Sequence, residues 1–278
     1  MARPADAPHD PIMQSTTPGD KERLLVAVAA ELGEAARSRV PVRALAGRFP
    51  GLTLEDAYRI QQINVERRIL GGARVAGHKI GLTSPAMQQQ MRIHEPDSGF
   101  ILDGMVQPSG SLLWAADFMN PRIETEIAFR LGHHLTGPAD LDAVRGAVAE
   151  VFLAFEVLDT CYTGWNITLV DSVADNAACA RVVLGSPVPF DPAADLAAEQ
   201  IEASVNGHTA ARGEGHDILG DPLKALVWLT HRLPALGTSL RAGDIVLAGS
   251  VHASIPLTPG MDIRATSTHF PAVHLHVL

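Results

Sequence analysis

The chain has 278 residues, which is long enough for one large domain or two smaller ones with a substantial hydrophobic core. Hydrophobic residues make up 46% of the chain and charged residues 19%, a composition typical of globular proteins and not of disordered ones. The formal net charge of -9 argues against broad electrostatic attraction to nucleic acid or to an anionic membrane, so we expect neither as a partner.

The sequence also favours a cytoplasmic location. No stretch is apolar over the length that a bilayer requires, and the polar, proline-rich start lacks the apolar region of a secretion signal. The two cysteines, Cys161 and Cys179, lack the spacing of a metal-binding motif. We interpret them as buried free thiols in a reducing compartment.

Helices are predicted in the first quarter of the chain. Residues 1–19 are predicted to form a flexible tail, and helical periodicity follows over about 20–39. Thr53 and Asp56 have the spacing of a capping box, and the helix that they begin is predicted to end at a pair of glycines. Residues 20–72 are therefore predicted to be a helical N-terminal region.

From residue 73 onward, short β-like runs recur between Gly, Pro, Asp and Asn. They lie at 74–82, 99–106, 122–131, 151–159, 180–185, 201–207, 244–250 and 272–278. Two helical stretches, near 139–150 and 221–233, interrupt them, but strands and helices do not alternate as in a doubly wound parallel sheet. We predict an α+β protein in which residues 73–278 form a β-rich catalytic domain of mixed or antiparallel strands.

Glu124 and Glu126 are the strongest local signal for chemistry. They alternate with apolar residues, which predicts a strand, and side chains two residues apart in a strand project from the same face. Two neighbouring carboxylates repel, so in a partly buried site one of them takes up a proton or a cation. Mg²⁺ and Mn²⁺ favour such oxygens. The alternative is the solvated face of an edge strand, and the spacing alone favours that alternative.

Glu156 is the single carboxylate in the apolar run 151–158. A continuous apolar run predicts a strand that is buried on both faces. Because an unpaired buried charge is costly, Glu156 is expected to pair either with an arginine or with a cation that it shares with Glu124 and Glu126.

Lys79 lies in a short β-like run bracketed by glycines, which allow a backbone or a substrate to approach closely. A lysine beside a metal-bound ligand can have a lowered pKa and transfer protons, although the run alone favours a lysine that reaches solvent. His78 points away from Lys79 in a strand and is interpreted as structural. Residues 96–99 are turn-like, and Asp97 is either a turn residue or a residue at the mouth of a site.

The chain resembles the 2-keto-4-pentenoate hydratase group of the fumarylacetoacetate hydrolase superfamily from about residue 50 to 262. The resemblance rests on motifs that occur in order, and together they are specific: GHKIGLTS, HEPDSGFILDGM, PRIETEIAF, AFEVLDT, VADNA and DIVLAGS. One departure is that the group often has Ser-Ser or Ser-Cys after Ala-Asp-Asn-Ala, whereas Ala178 and Cys179 follow here.

The resemblance implies a mixed β-sandwich roll preceded by a helical segment. It implies Mg²⁺ or Mn²⁺ bound by Glu124, Glu126 and Glu156, with Lys79 as the principal acid/base residue and Asp97 close to it. The residues expected near the substrate are Gly81, Leu82, Gly249 and Ser250. A homo-oligomer is also implied.

The activity that the resemblance implies is hydration of a 2-hydroxy-2,4-dienoate to a 4-hydroxy-2-oxo acid, a metal-dependent lyase reaction on a small 2-keto or 2-enol carboxylate. Decarboxylation of a 4-oxalocrotonate-like diacid is the nearest alternative, although HEPDSGFILDGM looks more like the hydratases. Hydrolysis of a C–C bond, as in fumarylacetoacetate or acylpyruvate, is less compatible, because those hydrolases commonly have an aspartate where Glu156 stands. A non-catalytic partner subunit is disfavoured because Lys79 and all three glutamates are present.

Overall fold

The computed structural model describes residues 18–278. Within them are six α-helices, α1 (Pro18–Ser38), α2 (Leu54–Leu70), α3 (Pro85–Met91), α4 (Leu141–Ala147), α5 (Leu169–Ala174) and α6 (Pro222–Arg232). Most of the predicted tail lies outside the described residues. At the start of α2, the Thr53 side chain accepts a hydrogen bond from the Asp56 backbone and the Asp56 carboxylate accepts one from the Thr53 backbone, as the capping box predicts.

Fourteen strands occur in the same part of the chain. They are β1 (Val75–Gly81), β2 (Asp97–Leu102), β3 (Val106–Pro108), β4 (Ser111–Leu113), β5 (Arg122–Leu131), β6 (Val148–Leu158), β7 (Cys179–Leu184), β8 (Val188–Pro189), β9 (Gln200–Val205), β10 (His208–Glu214), β11 (Ile245–Ser250), β12 (Ile255–Pro256), β13 (Asp262–Ser267) and β14 (Val273–Val277). The larger sheet has the order β2-β1-β11-β5-β6-β7-β3, with β12 beside β5 and β8 beside β6. The smaller sheet has the order β10-β9-β13-β14-β4.

Both sheets are mixed. The pairs β1–β11, β3–β7 and β14–β4 are parallel and the other pairs are antiparallel. The predicted α+β class is therefore confirmed. The proposed division at residue 72 stays a prediction.

The main hydrophobic core joins one face of the larger sheet to the smaller sheet and to α4 and α6. Phe129 and Leu153 of the larger sheet belong to this core, together with Leu226 of α6 and Ile263 of β13. The opposite face of the larger sheet carries a second apolar cluster. At one end of the sheet, this second face carries carboxylates in place of apolar side chains. The sheet therefore lies between the main core and the candidate site.

Helix α1 packs against α2, and α2 packs against α5. Leu32 of α1 and Ile60 of α2 share a buried cluster with Tyr162 and with Val173 of α5. Neither these helices nor any other helix within residues 18–278 combines the length and apolarity needed to cross a membrane. Both cysteines are buried and free, as predicted.

Two local predictions are wrong. The predicted helix at 139–150 ends at Ala147, and β6 begins at the next residue because the apolar run from Val148 onward lies in the middle of the larger sheet. The predicted turn at 96–99 is instead the first part of β2, where Gly99 pairs with Lys79. A Cβ at Gly99 would lie 2.4 Å from the carbonyl oxygen of Asn176, so this glycine reflects close packing and not a turn.

Candidate active site

Glu124, Glu126 and Glu156 converge on one face of the larger sheet. Glu124 and Glu126 lie two residues apart in β5, and Glu156 of β6 is the direct antiparallel partner of Glu124. Each of the three offers a carboxylate oxygen within 4.8 Å of the others. All three are at most 2% exposed, so the alternative of a solvated edge is wrong.

The oxygens of this cluster are poorly satisfied. Among residues 18–278, no hydrogen-bond partner is found for Oε1 of Glu124, Oε1 of Glu126 or either oxygen of Glu156. Oε2 of Glu126 accepts a hydrogen bond of 2.6 Å from the backbone N–H of Gly249. Buried polar atoms in native proteins are nearly always paired, so this concentration points to a missing ligand.

The raised pKa values of Glu124 and Glu126 also point to a bound ligand. Burial, and next the charge of Glu156, raise the pKa of Glu124 to about 8. The same two causes raise the pKa of Glu126 well above its ordinary range. A hard divalent cation fits this site, because it prefers carboxylate oxygens and removes the repulsion among them.

Lys79 is buried beside the cluster and does not reach solvent. Its Nζ lies 3.6 Å from Oε1 of Glu156 and 3.9 Å from Oδ1 of Asp97. Burial by itself would lower the pKa of Lys79, but the charges of Glu156 and Asp97 outweigh burial and raise it. The lowered pKa expected for this lysine beside a metal-bound ligand stays a prediction. Glu156 was expected to pair with an arginine or with a shared cation, and among residues 18–278 the charged side chain that it pairs with is Lys79.

Asp97 is 2% exposed, so it lies inside the site and not at its mouth. It pairs with Gly81 across β2 and β1, and a Cβ at Gly81 would lie 2.3 Å from Oδ1 of Asp97 and 2.9 Å from Nζ of Lys79. Only glycine leaves room for this pair of side chains.

The other residues predicted near the substrate have different environments. Leu82 has a left-handed backbone (φ 60°) and packs in a small cluster with Met87. Gly249 also has a positive φ of 105°, and it contacts the cluster through its N–H. The Ser250 hydroxyl donates to the backbone carbonyl of His252 at 2.7 Å, so it is engaged within the protein. The structure thus brings Gly81 and Gly249 to the charged residues, while the hydroxyl of Ser250 is turned to the backbone.

The segment 176–178 is strained beside the site. Asn176, Ala177 and Ala178 all have φ between 51° and 60°, and a left-handed non-glycine residue costs about 1–2 kcal/mol. The Asn176 side chain donates to the carbonyl of Phe100 and accepts from its N–H, at 2.9 and 2.8 Å. This contact holds the strand that carries Asp97.

Two site residues were not predicted. Ser172 of α5 donates a hydrogen bond of 2.7 Å to Oδ2 of Asp97. Cys179 lies against Glu156, and burial followed by the charge of Glu156 raises the pKa of its thiol. Ser172 directly precedes the VADNA motif, but only the fold brings its hydroxyl to β2.

The chain belongs to the Fumarylacetoacetate (FAA) hydrolase C-terminal family, whose pattern matches residues 80–277. It is 39% identical over 246 residues to the 2-keto-4-pentenoate hydratase of Paraburkholderia xenovorans (strain LB400), covering 88% of this chain and 90% of that protein. It is 38% identical over 232 residues to the 2-hydroxyhexa-2,4-dienoate hydratase of Comamonas testosteroni, covering 82% and 88%.

Among solved structures, the chain is similar to the 4-oxalocrotonate decarboxylase from Pseudomonas putida G7, complexed with magnesium and adipate. The TM-score is 0.87 at 28% identity, with 92% of this chain and 98% of that chain covered. These similarities confirm the family and the fold that the sequence motifs implied.

Proposed function

We propose that this protein is a divalent-metal-dependent hydro-lyase that adds water to a 2-hydroxy-2,4-dienoate. The observation that carries the proposal is the convergence of Glu124, Glu126 and Glu156 beside Lys79 and Asp97. The hydratases named above, at 38% and 39% identity, support hydration as the reaction.

The three glutamates are the proposed ligands of the metal. Their donor set consists only of carboxylate oxygens, which suits Mg²⁺ or Mn²⁺ better than softer ions. When bound, such an ion supplies a Lewis acid that polarises a 2-oxo carboxylate.

Lys79 is the proposed proton carrier. Ketonisation of the dienol moves the proton of the 2-hydroxyl to C5 and leaves a double bond between C3 and C4. Water then adds its hydroxyl at C4 and a proton at C3, which gives the 4-hydroxy-2-oxo acid. Lys79 is buried and within 3.9 Å of Asp97, so it can exchange protons without bulk water.

Gly81 and Gly249 serve a steric role in this proposal. Without a Cβ, Gly81 leaves the Lys79–Asp97 pair open to a reacting carbon atom. The N–H of Gly249 fixes one oxygen of Glu126 and so orients that carboxylate towards the cation site. Leu82 and Ser250 follow these two glycines, and we propose that their backbones border the substrate.

Decarboxylation of a 4-oxalocrotonate-like diacid is the second candidate, and the superposition at a TM-score of 0.87 favours it. Both reactions need stabilisation of the same enolate, so the metal site does not separate them. The higher sequence identity to hydratases favours hydration.

The test is mass analysis of products from a panel of 2-hydroxy-2,4-dienoates that includes a diacid, with Mg²⁺ or Mn²⁺ and with EDTA. Gain of one water that EDTA abolishes is expected. Loss of carbon dioxide would identify a decarboxylase, and two fragments would identify a hydrolase. A panel in which no compound changes in a metal-dependent way would contradict an enzymatic role. A cytoplasmic homo-oligomer remains part of the proposal, and size measurement in solution tests the assembly.

A further inference from the structure

Helix α5 contacts the candidate site through Ser172. The Ser172 hydroxyl donates to Oδ2 of Asp97 at 2.7 Å, and both residues are at most 7% exposed. We propose that Ser172 is a positioning residue that orients Asp97 towards Lys79 without allowing the two to form a direct hydrogen bond. This inference rests on the proposed function, because it assigns Asp97 and Lys79 to proton transfer.

The geometry around Asp97 explains why one hydroxyl has this effect. Within residues 18–278, Oδ1 of Asp97 has no hydrogen-bond partner, and its distance of 3.9 Å from Nζ of Lys79 is too long for a hydrogen bond. A carboxylate rotates readily about its last side-chain torsion, and the missing Cβ of Gly81 leaves space beside it. The bond from Ser172 therefore opposes rotation of Asp97 onto Lys79.

Closure of Asp97 onto Lys79 would impair proton transfer. A direct, buried ion pair is a strong charge-assisted hydrogen bond, so it would hold Nζ of Lys79 against Asp97 and away from a substrate atom. We infer that Ser172 keeps the carboxylate near enough to assist and far enough to leave Lys79 free to react.

Helix α5, which carries Ser172, is held in place at its N-terminal end. Asp171 is fully buried, and its carboxylate accepts hydrogen bonds from the backbones of Leu45 and Ala46, at 2.6 and 3.1 Å. It also accepts from Thr168, the residue that caps α5. The segment between α1 and α2 thereby helps to hold the hydroxyl that orients Asp97.

Another hydroxyl–carboxylate contact lies at the C-cap of α5, Asp175. Asp175 accepts hydrogen bonds from the Thr160 hydroxyl at 3.0 Å and from the Cys161 backbone at 2.8 Å. The Thr160–Asp175 pair is a partly buried hydroxyl–carboxylate contact of the same kind as that of Ser172, but it does not involve Asp97 or Lys79. It therefore provides a matched control.

The experiment compares Ser172→Ala, Ser172→Thr and the control Thr160→Val with the wild-type protein. We expect Ser172→Ala to lower kcat roughly 10- to 100-fold, the effect of losing a buried hydrogen bond to a charged group, with KM within about twofold. Mn²⁺ affinity by titration calorimetry should not change. Ser172→Thr keeps the hydroxyl and should restore kcat to within a few fold. Thr160→Val should lower the melting temperature and leave kcat near the wild-type value.

Several results would overturn the inference. These are wild-type kcat in Ser172→Ala, failure of Ser172→Thr to exceed Ser172→Ala, or an equal loss of kcat in Thr160→Val. A crystal structure of Ser172→Ala tests the geometry separately from turnover. It should show an oxygen of Asp97 within hydrogen-bonding distance of Lys79, and an unmoved Asp97 would overturn the inference even if the wild-type protein hydrated no dienoate. Absence of wild-type hydration together with a moved Asp97 would reject the proposed function alone.

Discussion

Replacing Glu124 by glutamine should have opposite effects on stability and on metal binding. The carboxylate is buried among Glu126 and Glu156, and its pKa is raised from 4.5 to about 8. A raised carboxylate pKa means that the folded metal-free protein keeps a proton that the unfolded chain releases. The contribution to stability is full below pH 4.5 and is lost as the pH rises through 8.

The magnitude follows from the size of the shift. At about 1.4 kcal/mol for each pKa unit, ionisation costs the metal-free protein about 4 kcal/mol of unfolding free energy by pH 8. Glu124→Gln removes this cost but leaves a buried amide with incomplete hydrogen bonds, a penalty of about 1–3 kcal/mol. The net gain in unfolding free energy at pH 8 is about 1–3 kcal/mol.

The assay is urea unfolding of EDTA-treated protein at pH 5 and pH 8, with the exposed Glu95→Gln as the control. Glu124→Gln should be more stable than the wild-type protein at pH 8 and should lose this advantage at pH 5, where the ionisation cost is smaller than the amide penalty. Added Mg²⁺ should stabilise the wild-type protein more than the variant. A ligand stabilises a protein by binding its folded state, and the variant lacks one of the proposed carboxylate ligands. A variant that is less stable than wild type at pH 8 without metal would refute the electrostatic reasoning.

Further predictions concern Lys79, Gly81 and His78. Lys79→Ala should abolish turnover and leave Mn²⁺ affinity within a few fold, as measured by calorimetry; unchanged turnover would reject its role. Gly81→Ala should lower kcat at least tenfold because the new Cβ meets Asp97 at 2.3 Å, whereas Gly104→Ala, which meets nothing within 4 Å in the described chain, should not. Burial lowers the pKa of His78 to about 4, so its contribution is full above pH 6.5 and is lost as the pH falls towards 4. Urea unfolding of the wild-type protein should show a loss of about 3 kcal/mol of unfolding free energy between pH 6.5 and pH 4, and His78→Gln should not show this loss. Equal pH dependence of the unfolding free energy in the two proteins would contradict this.

Strand alternation predicted part of the site correctly. The two-residue period placed Glu124 and Glu126 on one face, and the apolar run around Glu156 predicted its burial. Both properties are local, so a single segment is enough to reveal them. The pairing of Glu156 with Glu124 depends on the register between two strands that α4 separates, and local periodicity carries no information about that register.

The residues that were placed wrongly or missed depend on distant contacts. Gly99 was interpreted as part of a turn because its true constraint, the carbonyl of Asn176, lies far along the chain. Ser172 has no local signal, since its partner Asp97 is 75 residues away. Lys79 was compatible with solvent exposure because alternation alone does not distinguish a sheet face that other elements cover from one that water covers.

The distribution of charge supports a functional role for this arrangement. Glu124, Glu126, Glu156 and Asp97 are buried around the ammonium of Lys79. Carboxylates in such surroundings weaken the folded state, and an apolar replacement of the same size is often more stable. The sheet nevertheless holds these oxygens at distances that suit a cation, and Gly81 and Gly249 lack the side chains that would fill the remaining space. The groups that destabilise the metal-free protein are therefore the proposed ligands of the cation, so stability and activity should respond in opposite directions when Glu124 or Glu126 is neutralised.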